Sequence, residues 1–135
     1  MIRYDDIIGI PFRHKGRDAK TGFDCWGLVI ELYRRNGIEL VDPVPDYDKD
    51  WDKKKSDNLF LENYHRQWRK LDEGEKIELL DLVFFGTEPS FPTHMGVIVE
   101  RGKVLHCNRG HGVIVSRLLR LEEKIQGYYR LKEVS

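Results

Sequence analysis

The stretch GFDCWGL, residues 22–28, places one of only two cysteines at the start of a run with helical periodicity. A thiol is a poor nucleophile until it loses its proton. The positive end of a helix dipole and a nearby imidazolium both favour the thiolate, lowering a free-thiol pKa of roughly 8.5 by one to several units. Chemistry at Cys25 therefore asks for a histidine brought in from elsewhere, and for a third group to orient that ring. Five histidines are available. His14 in a polar loop, His65 on the polar side of a middle segment and His111 in a GHG turn read as surface residues. His94 and His106 differ, because each lies at or within an apolar strand, where an ionisable ring needs a partner. Taken singly, each reads as a half-buried, hydrogen-bonded sheet histidine. Taken with Cys25, the two favour a catalytic constellation.

The elements that must position these residues follow from periodicity. Cys25, Leu28, Val29, Leu32 and Tyr33 repeat on one helical face, with Asp24 as the N-cap and Asn36-Gly37 as the stop. Residues 77–135 break into short runs rich in β-branched and aromatic residues (LLDLVFF, HMGVIVE, KVLHC, GVIVS, QGYYRL), separated by turn residues. That is the pattern of a small antiparallel sheet. Between these halves, residues 42–76 are rich in charge. Leu59, Phe60, Tyr64, Trp68 and Leu71 predict a second, amphipathic helix there, and DKDWDKKKSD reads as a solvated loop rather than as a ligand site at Tyr47 or Trp51. A helix-rich half before a strand-rich half makes the fold class α+β, with residues 1–135 forming one domain and 42–76 inserted between the cysteine helix and the sheet.

Composition narrows the partners. Twenty-three basic residues balance 23 acidic ones, which speaks against a general nucleic-acid or anionic-membrane binder. No apolar run has membrane-spanning length. Asp5 and Asp6 occupy the place where a signal peptide would be basic and then apolar, so the chain reads as mature sequence made in the cytoplasm, with free thiols.

Strand register supplies a test. If strands 94–99 and 104–109 pair through a two-residue turn at Arg101-Gly102, position 106 falls opposite 97. His94 and His106 would then point to opposite faces of the sheet. A working pair requires an odd-length loop or a β-bulge, which Gly102 could supply.

The blocks GIPF, GRD, GFDCWGLVIELY, LLDLVFF, THMGVIV and KVLHC, in that order, resemble the NlpC/P60 family of papain-like cysteine peptidases across about residues 9–107. DCWGL, with GRD ahead of it and GYYR near the end, is most similar to the branch found in bacteriophage tails and prophages. The resemblance implies a papain-like fold with the cysteine helix packed on a small antiparallel sheet. It implies Cys25 as nucleophile, His94 as general base and His106 as the residue holding the ring of His94, with no cofactor and no metal. The first-turn N–H of Cys25 is then an oxyanion donor. Asp24 matches an acidic residue that helps receive substrate, and equally suits a helix cap. Phe12 stands where the family often has tyrosine and Trp26 where it usually has serine, which alters the substrate-binding surface. The implied partners are a peptidoglycan peptide, cleaved beside a γ-linked D-glutamate, and other phage tail proteins, with the protein carried in a virion tail.

Three other readings are set beside this one. A close variant attacks another γ-glutamyl substrate, or runs the acyl step as a transferase. A tail assembly module keeps the fold without the activity. A tetrahedral metal site could draw on Cys107, His111, His106 and Cys25, although no CxxC pair is present.

Overall fold

The computed structural model describes residues 2–40, 68–86 and 94–132. Asp24 has extended backbone angles and its side chain accepts the N–H of Gly27, so the helix begins where its cap begins. The helix, α1, spans Cys25–Arg35 and ends at Asn36, followed by Gly37 at φ +81. Its buried face carries Cys25, Leu28, Val29, Leu32 and Tyr33, as the spacing predicts, and adds Trp26 and Gly27. Burying each large aliphatic side chain there contributes about 1.5–3 kcal/mol.

Ahead of α1, the polar loop that holds His14 runs into a short antiparallel pair, β1 (Arg17–Asp18) and β2 (Gly22–Phe23). A Cβ on Gly27 would lie 2.0 Å from the carbonyl oxygen of Gly16. Only glycine lets this loop close against the first turn of the helix.

Among the described residues, six strands form one antiparallel sheet: β3 (Trp68–Lys70), β4 (Leu82–Phe85), β5 (His94–Glu100), β6 (Lys103–Asn108), β7 (Gly112–Arg117) and β8 (Ile125–Leu131), in the order β3-β8-β4-β5-β6-β7. The helix expected through Trp68 and Leu71 does not reach them. Trp68–Lys70 instead pair with Leu131–Tyr129 of β8. Trp68 is buried with its ring edge-on to Tyr33, centroids 5.2 Å apart, and this tertiary contact outweighs local helical spacing. The rest of that expected helix, like Tyr47, Trp51 and His65, lies outside the described residues.

Alternation along the strands makes two cores. On one face, Leu82, Phe84, Met95, Val97, Val99, Leu105, Cys107 and Val113 pack with Cys25, Leu28, Val29 and Leu32 of α1. On the other, Val83, Phe85, Ile98 and Val104 meet Ile77, Ile125 and the one-turn helix Leu118–Leu121. The segment entering β4 is held on both sides. Asp81, buried, receives Nε and Nη2 of Arg130 at 2.9 and 2.7 Å, and the hydroxyl of Tyr33 donates to the carbonyl of Leu80.

The β5–β6 hairpin turns at Arg101-Gly102, and its register shifts between Ile98 and Glu100. Val99 is the additional residue, so the bulge precedes the turn and does not sit at Gly102. One consequence is that His106 lies opposite Gly96 and not Val97. A Cβ at position 96 would come 2.6 Å from Cγ2 of Val104 and 3.0 Å from Cβ of His106. Gly96→Ala should therefore lower stability by about 1–3 kcal/mol, measured as a shift in the denaturant midpoint. Gly102→Ala, which meets nothing within 4 Å but keeps a positive φ, should leave the two histidines in contact, while Gly96→Ala displaces them.

Candidate active site

His94 is the first residue of β5, opposite Phe85 of β4. His106 lies opposite Gly96, and residues 94 and 96 share a face, so the bulge brings the two rings to one side of the sheet. Nε2 of His94 is 2.8 Å from Nδ1 of His106, and Nε2 of His106 is 2.9 Å from Oγ of Ser116 on β7. The ring of Phe85 lies against both imidazoles, with centroids 5.6 and 5.9 Å away. Among the described residues, Nδ1 of His94 makes no hydrogen bond, which leaves it as the nitrogen open to a reacting group.

Burial keeps both rings neutral. Desolvation, joined by the neighbouring His106, lowers the pKa of His94 to about 3, and desolvation lowers that of His106 to about 4.

Cys25 begins α1 in the core on the other face, close enough to Cys107 for a charge there to oppose its own ionisation. Sγ of Cys107 donates to the carbonyl of Phe23 at 3.2 Å. The helix-start position predicts a lowered thiol pKa, but the structure reverses this. Burial, then the carboxylate of Asp24, then Cys107 push the thiol of Cys25 well above its ordinary value. The Trp26 N–H and the Arg17 guanidinium act in the opposite direction and are outweighed. The resting state is thus a neutral thiol and a neutral imidazole pair. Among the described residues, no hydrogen bond joins Sγ of Cys25 to either ring: the rings bond to each other and to Ser116.

The residues expected to contact substrate, Asp24, Trp26 and Phe12, all have neighbours within the fold. Asp24, 3% exposed, is occupied as a structural group: Oδ1 accepts Gly27 N–H at 2.7 Å and Arg17 Nη1 at 2.8 Å, and Oδ2 accepts Lys15 N–H at 3.2 Å. Trp26 is 1% exposed and belongs to the core. The α1 ridge turns its side chain inward. Phe12 is half-buried, bridges to Phe23 and carries the Arg109 guanidinium 5.2 Å from its ring centre. The four candidate metal ligands do not converge, since alternation sends His106 and Cys107 to opposite faces of β6 and His111 lies in the exposed turn. Ser116 and Arg109 escaped the sequence reading. Each gains its neighbour through strand or turn pairing, which no local spacing announces.

Two outcomes follow. An unfolded imidazole titrates near 6.5 and the folded pair at about 4 and about 3, so below 6.5 the unfolded chain binds protons that the folded chain excludes. This contribution to stability is complete above pH 6.5 and is lost as pH falls toward 4 and then 3. Thermal unfolding should show that decline, and a His94→Gln, His106→Gln double variant should flatten it. Alkylation of Cys25 by iodoacetamide, followed by peptide mass spectrometry, should be slow at pH 7 and still rising above pH 9.

Comparison with known proteins identifies the family and the fold. The profile of the NlpC/P60 family matches residues 9–128. Tail tip assembly protein K of Escherichia phage N15 is 33% identical over 90 residues, covering 66% of this chain and 36% of its own. Murein DD-endopeptidase MepH of Escherichia coli strain K12 is 33% identical over 103 residues, covering 76% of this chain and 32% of its own. The chain thus spans about a third of the length of these two curated relatives. A solved NLP/P60-family structure from Staphylococcus aureus, described as similar to a lipoprotein, superposes with a TM-score of 0.64 over 96% of this chain and 39% of its own, at 20% identity. That likeness establishes the α+β fold. With the profile covering most of the sequence, the chain belongs to the NlpC/P60 family.

Proposed function

We propose that the protein is a cysteine endopeptidase hydrolysing amide bonds in bacterial cell-wall peptides, beside a γ-linked D-glutamate, in a phage-tail or prophage setting. The observation that carries this reading is the 2.8 Å pair between His94 Nε2 and His106 Nδ1, which reserves His94 Nδ1 for a proton taken from a nucleophile. Family membership supports Cys25 as that nucleophile. A cell-wall peptide as substrate is supported by the name of the Escherichia coli relative, and a virion tail as the setting by that of the phage relative.

In this mechanism, substrate seated at the start of α1 brings the thiol and His94 together around the end of β5. Apo sites commonly hold such contacts long. Sγ attacks the amide carbonyl as its proton passes to His94 Nδ1. The oxyanion is received by the N–H of Cys25, a first-turn amide with no helical partner. His94 returns the proton to the leaving amine, and water then attacks the acyl-enzyme with His94 again as base. Phe12 brings a ring and no hydroxyl, so the second oxyanion contact comes from another group.

A non-catalytic tail module is the second reading, favoured by the neutral, buried thiol and by the absence of a hydrogen bond between Cys25 and His94. One experiment separates the two. Purified peptidoglycan is digested with the wild-type protein, Cys25→Ala and His94→Ala, and soluble fragments are identified by mass spectrometry. Fragments ending at a γ-glutamyl bond should appear with wild type, vanish with Cys25→Ala and fall by at least about a hundredfold with His94→Ala. Equal yields from wild type and Cys25→Ala, or none from either, would sink the endopeptidase reading.

A further inference from the structure

Ser116 lies on β7 opposite Val104, diagonal to His106 on the same face, with its Oγ 2.9 Å from His106 Nε2. We propose that Ser116 is a positioning residue for the thiol chemistry: by accepting the Nε2 proton of His106 it fixes the tautomer of that ring, and through it the tautomer of His94. The inference rests on the reading of Cys25 and His94 given above.

A neutral imidazole has one donor and one acceptor nitrogen. His106 uses both, so the chain His94–His106–Ser116 has only two consistent directions. In the first, His94 Nε2–H donates to His106 Nδ1, and His106 Nε2–H donates to Ser116 Oγ. His94 Nδ1 then keeps its lone pair. In the second, the Ser116 hydroxyl donates to His106 Nε2, and His106 Nδ1–H donates to His94 Nε2. His94 then carries its proton on Nδ1 and has nothing to offer a thiol. Only the first direction makes His94 a base.

The surroundings favour that direction. Ser116 is partly exposed and borders a hollow lined by Val115, Arg117, Arg120 and Leu121, so solvent is at hand for its own hydroxyl proton and its oxygen is left to accept. Phe85, flanking both rings, presents no polar competitor from β4. Among the described residues, no carboxylate or cationic side chain hydrogen-bonds either imidazole. During attack, one proton moves from Cys25 Sγ to His94 Nδ1. The hydrogen bonds to His106 and Ser116 stay in place, and no further transfer is needed.

The test combines nitrogen-15 NMR of the histidine rings at pH 7 with peptidoglycan digestion, for the wild type, Ser116→Ala and Ser116→Thr. In the wild type both rings should be Nε2–H tautomers. Ser116→Ala should populate Nδ1–H forms of His106 and His94 and lower kcat by about tenfold to a hundredfold, with KM within about twofold. Ser116→Thr, which keeps the hydroxyl, should restore both. Ser116→Ala with wild-type tautomers, or a wild-type His106 protonated on Nδ1, overturns the proposal. Should the wild type release no fragments, the endopeptidase reading fails on its own. The tautomer comparison then still decides whether Ser116 sets the ring state.

Discussion

The pairing of β5 with β6 is the constraint on which the site depends. Side chains alternate along a strand, so the register of one hairpin determines which residues share a face. With an unbroken two-residue turn, His94 and His106 would stand on opposite sides of the sheet. One additional residue, Val99, moves His106 opposite Gly96 and brings the two rings to 2.8 Å. Gly96 matters for the same reason, because any side chain there would occupy the space between Val104 and His106. The bulge is thus a geometric requirement of the histidine pair and not a defect at a strand end.

Burial shapes the electrostatics as strongly as geometry does. The helix dipole, the Trp26 amide and Arg17 all favour a thiolate at Cys25, yet the thiol lies in the α1-side core between Asp24 and Cys107, and desolvation outweighs them. The same effect holds both imidazoles neutral on the opposite face. In the proposed mechanism the proton therefore leaves the thiol only as substrate brings it to His94, rather than in a standing ion pair. Asp24 illustrates a related economy: its carboxylate holds the start of α1, the Arg17 strand and the Lys15 turn together, so the residue preceding Cys25 acts first on the fold.

Tertiary contacts also reassigned segments that local patterns described differently. Trp68 has helical spacing with Tyr64 and Leu71, but its ring is buried against Tyr33 and its backbone joins β8, so residues 68–70 form an edge strand. The polar stretch before α1 shows little periodicity, yet it forms the β1–β2 pair because Gly16 and Gly27 allow it to close on the helix.

The sequence by itself determined the cysteine helix with its cap and stop, the run of antiparallel strands, the α+β class and the two histidines with reason to meet. These are properties of spacing and residue type within a dozen residues, which chain periodicity writes directly. Even the need for a bulge could be read, because parity along a strand is arithmetic. What only the tertiary structure decided was where the bulge falls, that Ser116 extends the histidine pair, that Trp26 faces the core, and that the thiol is neutral. Each of these depends on which surfaces close over which side chains. Desolvation and cross-strand neighbours are set by residues far apart in the chain, and local spacing carries no record of them.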